Sequence, residues 1–270
     1  MTVVTEPLAR RGRPTASRAR GLSECAVTSV RGDGGADVTV TFSNGTLRVD
    51  AILVAVGRRP RTGELDLEHA NVDLDERGYV VVNERLQTSN PRIWAAGDVT
   101  GYPQFTHAAG VHASTAASNA VLGLRRTVDT ATLPRVTFTR PEIAAFGVRP
   151  DRAAASGLTV REVHHDDAVD RAIAEDNTRG TTRLVTDRRG RLVGVMIVGP
   201  RVGESLAELV LAARHGLRAR DLAAAMHAYP TYSDGVWKAA IAEVQHGLNR
   251  PAVAAVTRML SAIRRRRVSR

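Results

Sequence analysis

Residues 88–109, TSNPRIWAAGDVTGYPQFTHAA, decide how this chain reads. Residues 93–96 form a short apolar run, too short for a helix and bounded by turn residues, which predicts a buried strand. Gly97 lets the backbone turn tightly and approach a ligand closely. Asp98 then falls at the carboxyl end of that strand, where open α/β sheets hold their ligands. A carboxylate there can accept hydrogen bonds from a polyol. From Thr106 onward the small residues Ala108, Ala109, Gly110, Ala113, Ala116 and Ala117 predict a helix able to lie close to another backbone or a flat ring. Its N-terminus, with partial positive charge and free N–H groups, suits an electron-rich ring edge. Taken alone, the same residues also describe an ordinary strand-turn-helix with a capping Asp.

Outward from this stretch, 270 residues suffice for one large domain or two medium ones. A hydrophobic fraction of 43% and a charged fraction of 24% are those of a soluble globular protein. Aromatics are only 4%, which argues against stacking platforms for single-stranded nucleic acid. The net charge of +10 is almost wholly arginine, Lys238 being the only lysine. Such a balance permits weak binding to nucleic acid or acidic membranes, but much of it sits in the two chain ends, where a solvated tail is the commoner outcome. No apolar run approaches a membrane span, and the first residues lack the apolar core of a signal peptide. One cysteine, Cys25, excludes an internal disulfide and a cysteine-based metal cluster, and no metal site is expected. No specific nucleic-acid or membrane partner is expected, and a cytoplasmic location is.

Residues 1–21, rich in Arg, Pro, Ser and Ala, are expected to lack fixed structure. From Cys25 the pattern alternates: Val27, Val30, Val38, Val40 and Phe42 predict strands. Residues 32–35 (GDGG) and 43–45 (SNG) predict the turns between them. A last strand over residues 47–56 ends in the apolar run ILVAV and is expected to enter a core. Arg58 and Arg59 in GRRPRT suit a phosphate or a carboxylate, or equally a solvated linker. Arg77-Gly78 predicts a turn into a strand over residues 79–82, and a helix is expected over residues 107–122.

Further on, residues 183–187 and 192–198 predict strands around a DRRG turn. Gly203 and Glu204 open an amphipathic helix with Leu206, Leu209, Val210, Ala213 and Leu217 at helical spacing, closed by Gly216. Arg220-Asp221 begins a short helix. Thr231 and Asp234 approximate a capping box ahead of a helix bearing Trp237, Ala240, Ile241, Val244 and Leu248. A short helix followed by disorder is expected over residues 251–270.

The succession ILVAVGRRP, TSNPRIWAAGDV and FTHAA resembles the flavoprotein (pyridine nucleotide-) disulfide reductases, the group of dihydrolipoamide dehydrogenase, glutathione reductase and mercuric reductase. PRVTFTRPEIAAFG at 134–147, RLVTDRRGRLVGVMIVGPRVGE at 183–204 and HAYPTYSD at 227–234 extend the likeness, which covers roughly residues 26–248. It implies an α/β part, a partial FAD/NAD(P)-binding layer, followed by an α+β dimerisation domain. The expected divisions are a basic lead-in at 1–21, a remnant of the NAD(P)-binding domain at 22–62, the end of the FAD-binding domain at 63–130, the dimerisation domain at 131–249 and a basic tail at 250–270.

By resemblance, Gly97 and Asp98 match the second flavin motif, with Asp98 on the ribityl chain. Thr106, His107 and Ala108 match the helix start beneath the flavin ring, which would stabilise negative charge on reduced flavin. The family's catalytic His, which acts across the dimer interface, is Tyr229 here, and its orienting carboxylate is the shorter Asp234. A phenol with a pKa near ~10 is a poor base at neutral pH but can donate a proton or hydrogen bond. This departs from lipoamide and glutathione reductases and leans towards the mercuric-reductase-like branch or an uncharacterised one. His227 is a candidate substitute base, or a packing histidine.

The sequence holds no G-x-G-x-x-G turn for the flavin's ADP half, no strand–Gly-rich–helix unit for NAD(P)H, and no pair of redox cysteines. The chain thus resembles the C-terminal half of a longer reductase, with residues 1–21 expected to be non-native lead-in. Two functions follow as expectations: a flavin-linked NAD(P)H oxidoreductase of cell redox homeostasis, truncated and completed by a separate N-terminal half, or a non-catalytic homodimerising module. Nucleic-acid binding through the Arg-rich ends is a third. A sheet edge and apolar surface left uncovered predict poor solubility for the first ~130 residues alone.

Overall fold

A computed structural model describes residues 3–5, 20–22, 25–32, 37–249 and 251–268. The chain divides into two compact units, Met1–Val81 and Val82–Arg270.

In the first unit, β1 (Val3–Thr5) pairs antiparallel with β2 (Arg20–Leu22), so five residues of the lead-in do form strands. The rest of the structureless lead-in expected at 1–21 lies outside the described residues. The expected meander is present as β3 (Val27–Arg31), β4 (Val38–Phe42) and β5 (Gly45–Val49). Val40 lies opposite both Val30 and Leu47, and β-branched and aromatic residues suit such pleated pairs. The GDGG turn falls largely outside the described residues, whereas Ser43-Asn44 closes the second hairpin as expected. Cys25, Val40 and Phe42 form a small core, in which the Cys25 thiol donates to Asn44 Oδ1 at 3.2 Å.

The expected continuation of β5 through residue 56 is not found. Residues 51–56 carry no strand pairing, and Leu53 is 92% exposed, with Val54 and Val56 also outside any core. An apolar run becomes a buried strand only between partner strands and beneath a covering layer, and among the described residues nothing pairs with it. Residues 79–82 are likewise reduced to an isolated bridge between Leu74 and Val80. The Arg77-Gly78 turn is as expected: Gly78 has φ +83°, and the Asp75 carboxylate accepts the N–H groups of Arg77 and Tyr79.

The second unit departs from expectation at its start. Residues 93–96 form no strand; Trp94 makes a single bridge to Gln87, and Gly97–Thr100 is one 3-10 turn. Among the described residues no parallel strand lies beside this segment to complete a ladder. Helix α1 (Thr106–Leu122) then follows as expected.

Beyond it lies one five-stranded antiparallel sheet, ordered β6 (Arg135–Thr137), β7 (Glu142–Gly147), β10 (Leu192–Gly199), β9 (Thr181–Thr186) and β8 (Thr159–His164). Short helices α2 (Pro150–Ala153), α3 (His165–Ala168) and α4 (Asp170–Ala174) fill the connections. Helices α5 (Leu206–Arg214), α6 (Ala219–Ala224) and α7 (Asp234–Leu248) follow the sheet. Phe146, Leu184, Ile197, Leu209 and Val236, none more than 1% exposed, hold sheet and helices together in one core. Gly216 has φ +64°, the left-handed C-terminal residue its position predicts. The expected short tail helix is instead α8 (Pro251–Val268), eighteen residues long; the disorder expected behind it reaches only residues outside those described.

One polar residue is central to this unit. His165 is fully buried; its Nε2 faces Thr182 Oγ1 at 2.9 Å, and its Nδ1 has no partner. Three glycines make room for it: a Cβ at Gly180 would lie 2.4 Å from Nδ1, one at Gly199 2.9 Å from the ring, and one at Gly235 3.1 Å from Nε2. Burial lowers the pKa of His165, and burial also lowers that of His112 on α1, from the ordinary 6.5. The unfolded chain therefore binds protons that the folded chain refuses, so stability is complete above pH 6.5 and declines as the pH falls below it. Urea unfolding followed against pH is expected to show this decline, and His112→Asn to remove His112's share of it. Gly235→Ala, which forces a methyl to within 2.6 Å of Thr182 Oγ1, is expected to cost about 1–3 kcal/mol in the same measurement.

Candidate functional site

The residues expected at the flavin and in acid-base chemistry lie in the second unit, in two groups, whereas Arg58 and Arg59 lie in the first. The first surrounds the start of α1. Gly97 takes φ +80°, and a Cβ there would lie 3.2 Å from the Cβ of Ala109, so only glycine brings this turn so near the helix. Thr100 donates to the Gly97 carbonyl at 2.8 Å and fixes the turn that carries the half-buried Asp98. At the N-terminus of α1, Phe105 is the cap residue without a side-chain cap, and the first turn holds no acid. The backbone N–H groups there keep their partial positive charge. Ala108 is buried, whereas Thr106 and His107 face outward. His107 Nε2 lies 2.9 Å from the Pro134 carbonyl, and its ring stacks on Phe105. This helix end opens onto a cleft of about 690 Å³ lined by Phe105, Thr106, Pro134, Phe138, Val210 and Arg214.

The second group surrounds the start of α7. Tyr229 is exposed, and its phenol donates to a carboxylate oxygen of Asp170. That hydrogen bond, the negative charge of Asp170 behind it, and then the charge of Asp234 push the phenol's pKa above its usual 10.0. Tyr229 therefore stays protonated at neutral pH and is a donor, not a base. Lys238 approaches the other Asp170 oxygen at 3.9 Å. Asp234 makes no hydrogen bond to Tyr229: it is 2% exposed and accepts the Thr231 backbone N–H at 3.3 Å, just ahead of α7. A carboxylate one methylene shorter than glutamate reaches its own helix end and no further.

His227 is a packing histidine. Its Nε2 meets Glu208 at 3.0 Å, its Nδ1 faces the Ala225 carbonyl at 3.0 Å, and its ring stacks on Trp237. Asp170, the partner of the Tyr229 phenol, is the residue that sequence reasoning missed. It lies 59 positions from Tyr229 at the start of α4, and no local pattern marks it.

With Asp170→Asn, the charge that holds the phenol's proton is gone, and the Tyr229 titration is expected to fall towards 10.0. NMR of 13C-labelled tyrosine across alkaline pH, with Tyr229→Phe to assign the signal, checks it; an unmoved titration would refute the pairing.

Residues 133–240 match the pyridine nucleotide-disulphide oxidoreductase dimerisation domain, and residues 20–113 match the pyridine nucleotide-disulphide oxidoreductase domain. A mercuric reductase of Streptomyces lividans is 38% identical over 218 residues, 78% of this chain and 46% of that protein. A dihydrolipoyl dehydrogenase of Thermus scotoductus is 41% identical over 207 residues, 75% of this chain and 44% of its own. Among solved structures, LpdA from Mycobacterium tuberculosis superposes with a TM-score of 0.76 at 26% identity, covering 81% of this chain and 48% of that one. The Cu(II) complex of the HOCl-induced flavoprotein disulfide reductase RclA from Escherichia coli gives 0.73 at 27% identity, covering 80% and 50%. The chain spans under half the length of the curated relatives it matches. By the two matched domains and the fold they share with these structures, the chain belongs to the pyridine nucleotide-disulphide oxidoreductases, flavoproteins with a dimerisation domain.

Proposed function

We propose that this chain is the flavin-ring and dimer-forming part of an FAD-dependent NAD(P)H oxidoreductase. The observation that carries the reading is the Gly97 turn packed against Ala109 beside an uncapped α1 N-terminus. Those residues fit a flavin's ribityl chain and ring edge. Asp98 would accept the ribityl hydroxyls, and the N–H groups of Thr106, His107 and Ala108 would face the electron-rich ring edge. FAD, when bound, supplies the two-electron chemistry. Tyr229, kept protonated by Asp170, would donate a hydrogen bond or a proton to a substrate, in place of the acid-base histidine.

The residues do not fit the whole cofactor set. No Gly-rich turn for the ADP half, no NAD(P)H unit and no redox cysteine pair is present in the sequence. The reading therefore has the chain acting as a homodimer with a separate N-terminal half, and inactive without it. The exposed Leu53, Val54 and Val56 favour such a partner, since apolar side chains in a row are normally covered. The proposed divisions stand at residues 22–62, 63–130 and 131–249, in a soluble cytoplasmic protein. The alternative is a non-catalytic dimerisation module, favoured by the absence of the cysteine pair.

Titration of the purified chain with FAD, followed by flavin fluorescence, separates the two. Saturable binding with a yellow complex is expected, and Asp98→Ala is expected to weaken it about tenfold or more, the loss of a charge-assisted hydrogen bond of about 1.5–3 kcal/mol. A colourless dimer in sedimentation, indifferent to FAD, would leave only the dimerisation module.

A further inference from the structure

We propose that α8 is a peripheral anchor that lies on an anionic lipid surface. The dimerisation-domain match ends at residue 240, so this helix lies beyond the matched residues. It is eighteen residues long, about 27 Å. Val253, Val256 and Leu260 follow one another at three- and four-residue spacing, which puts them on one face, with Met259 beside them. All four are exposed, between 40% and 58%. An apolar stripe in solvent needs a cover, and the charge around it says which kind.

The last acidic residue in the chain is Glu243; the residues after it carry seven arginines, four of them consecutive at 264–267. Arg258 and Arg264 are exposed along the same helix. No acid is within reach to neutralise them from α8 itself. A second copy of α8 would bring the same arginines and no carboxylate to meet them, so pairing of two such helices is opposed by charge. Nucleic-acid phosphates would satisfy the arginines but leave the apolar stripe unused. A bilayer surface of anionic headgroups over acyl chains takes both at once. No helix among the described residues is long and apolar enough to cross a membrane, and a helix lying in the interface plane needs no such length.

Co-sedimentation of the full chain with vesicles tests this, one set of phosphatidylcholine alone and one also containing phosphatidylglycerol. Binding only to the anionic vesicles is expected, weakening as salt rises. Arg264→Gln is expected to reduce it about fivefold. Val256→Ser with Leu260→Ser is expected to reduce it about tenfold or more, with unchanged melting of the folded chain because both positions are exposed. Equal binding to neutral vesicles, or none to either set, would overturn the proposal. So would retention on duplex DNA that exceeds vesicle binding and ignores the serine pair, or self-association that the serine pair abolishes while vesicles remain unbound. FAD binding is read separately from vesicle binding, so either can fail alone.

Discussion

Where α7 begins, its backbone must pass over a ring that has no room to move. His165 fills the space between the ends of β9 and β10, and Gly235 is the point at which the helix touches it. Packed interiors have little slack, so three hydrogen-only side chains set how close sheet and helix come. Everything at the front of α7 inherits that placement. Asp234, one residue earlier, is buried and turned back onto Thr231. Tyr229 stands five residues ahead of it, on the segment that the helix start anchors. Arg161 on β8 adds a 2.7 Å ion pair to Glu243 farther along α7, a half-buried tie between the same sheet and helix.

This arrangement explains why Tyr229 and Asp234 do not act as a pair. Asp234 bonds back to Thr231, and the Tyr229 phenol meets another carboxylate, Asp170, on a different element. A phenol hydrogen-bonded to a charged carboxylate is held in its neutral form, which suits donation and opposes abstraction. At the other group of residues, the groups on offer are mostly backbone. The Gly97 turn and the first turn of α1 offer N–H groups and one carboxylate, with no side chain that must titrate.

The legible parts of the fold were those specified by near neighbours in sequence. The meander of β3, β4 and β5 follows from alternation and from Ser43-Asn44. The sheet of β9 and β10 follows from the DRRG turn, and α5 from its apolar spacing and Gly216. What misled were apolar runs whose burial depends on distant partners. Residues 51–56 and 93–96 have the composition of buried strands, but composition is silent about whether a neighbour is present to pair with. The helix at the C-terminus was under-read because its alanines and arginines carry helix propensity without a core to face. Around the start of α1, the turn at Gly97 and the helix after it are readable in the sequence, while the contact of Asp170 to Tyr229 is not, since it exists only in three dimensions.

Cys25 gives the molecule an unusual experimental handle. It is the chain's only thiol, 3% exposed under the β4–β5 hairpin. Both tryptophans, Trp94 and Trp237, belong to the other unit. A thiol-labelling rate therefore clocks the opening of one unit and indole emission the opening of the other. No engineered probe is needed to learn whether the two halves unravel together or in succession.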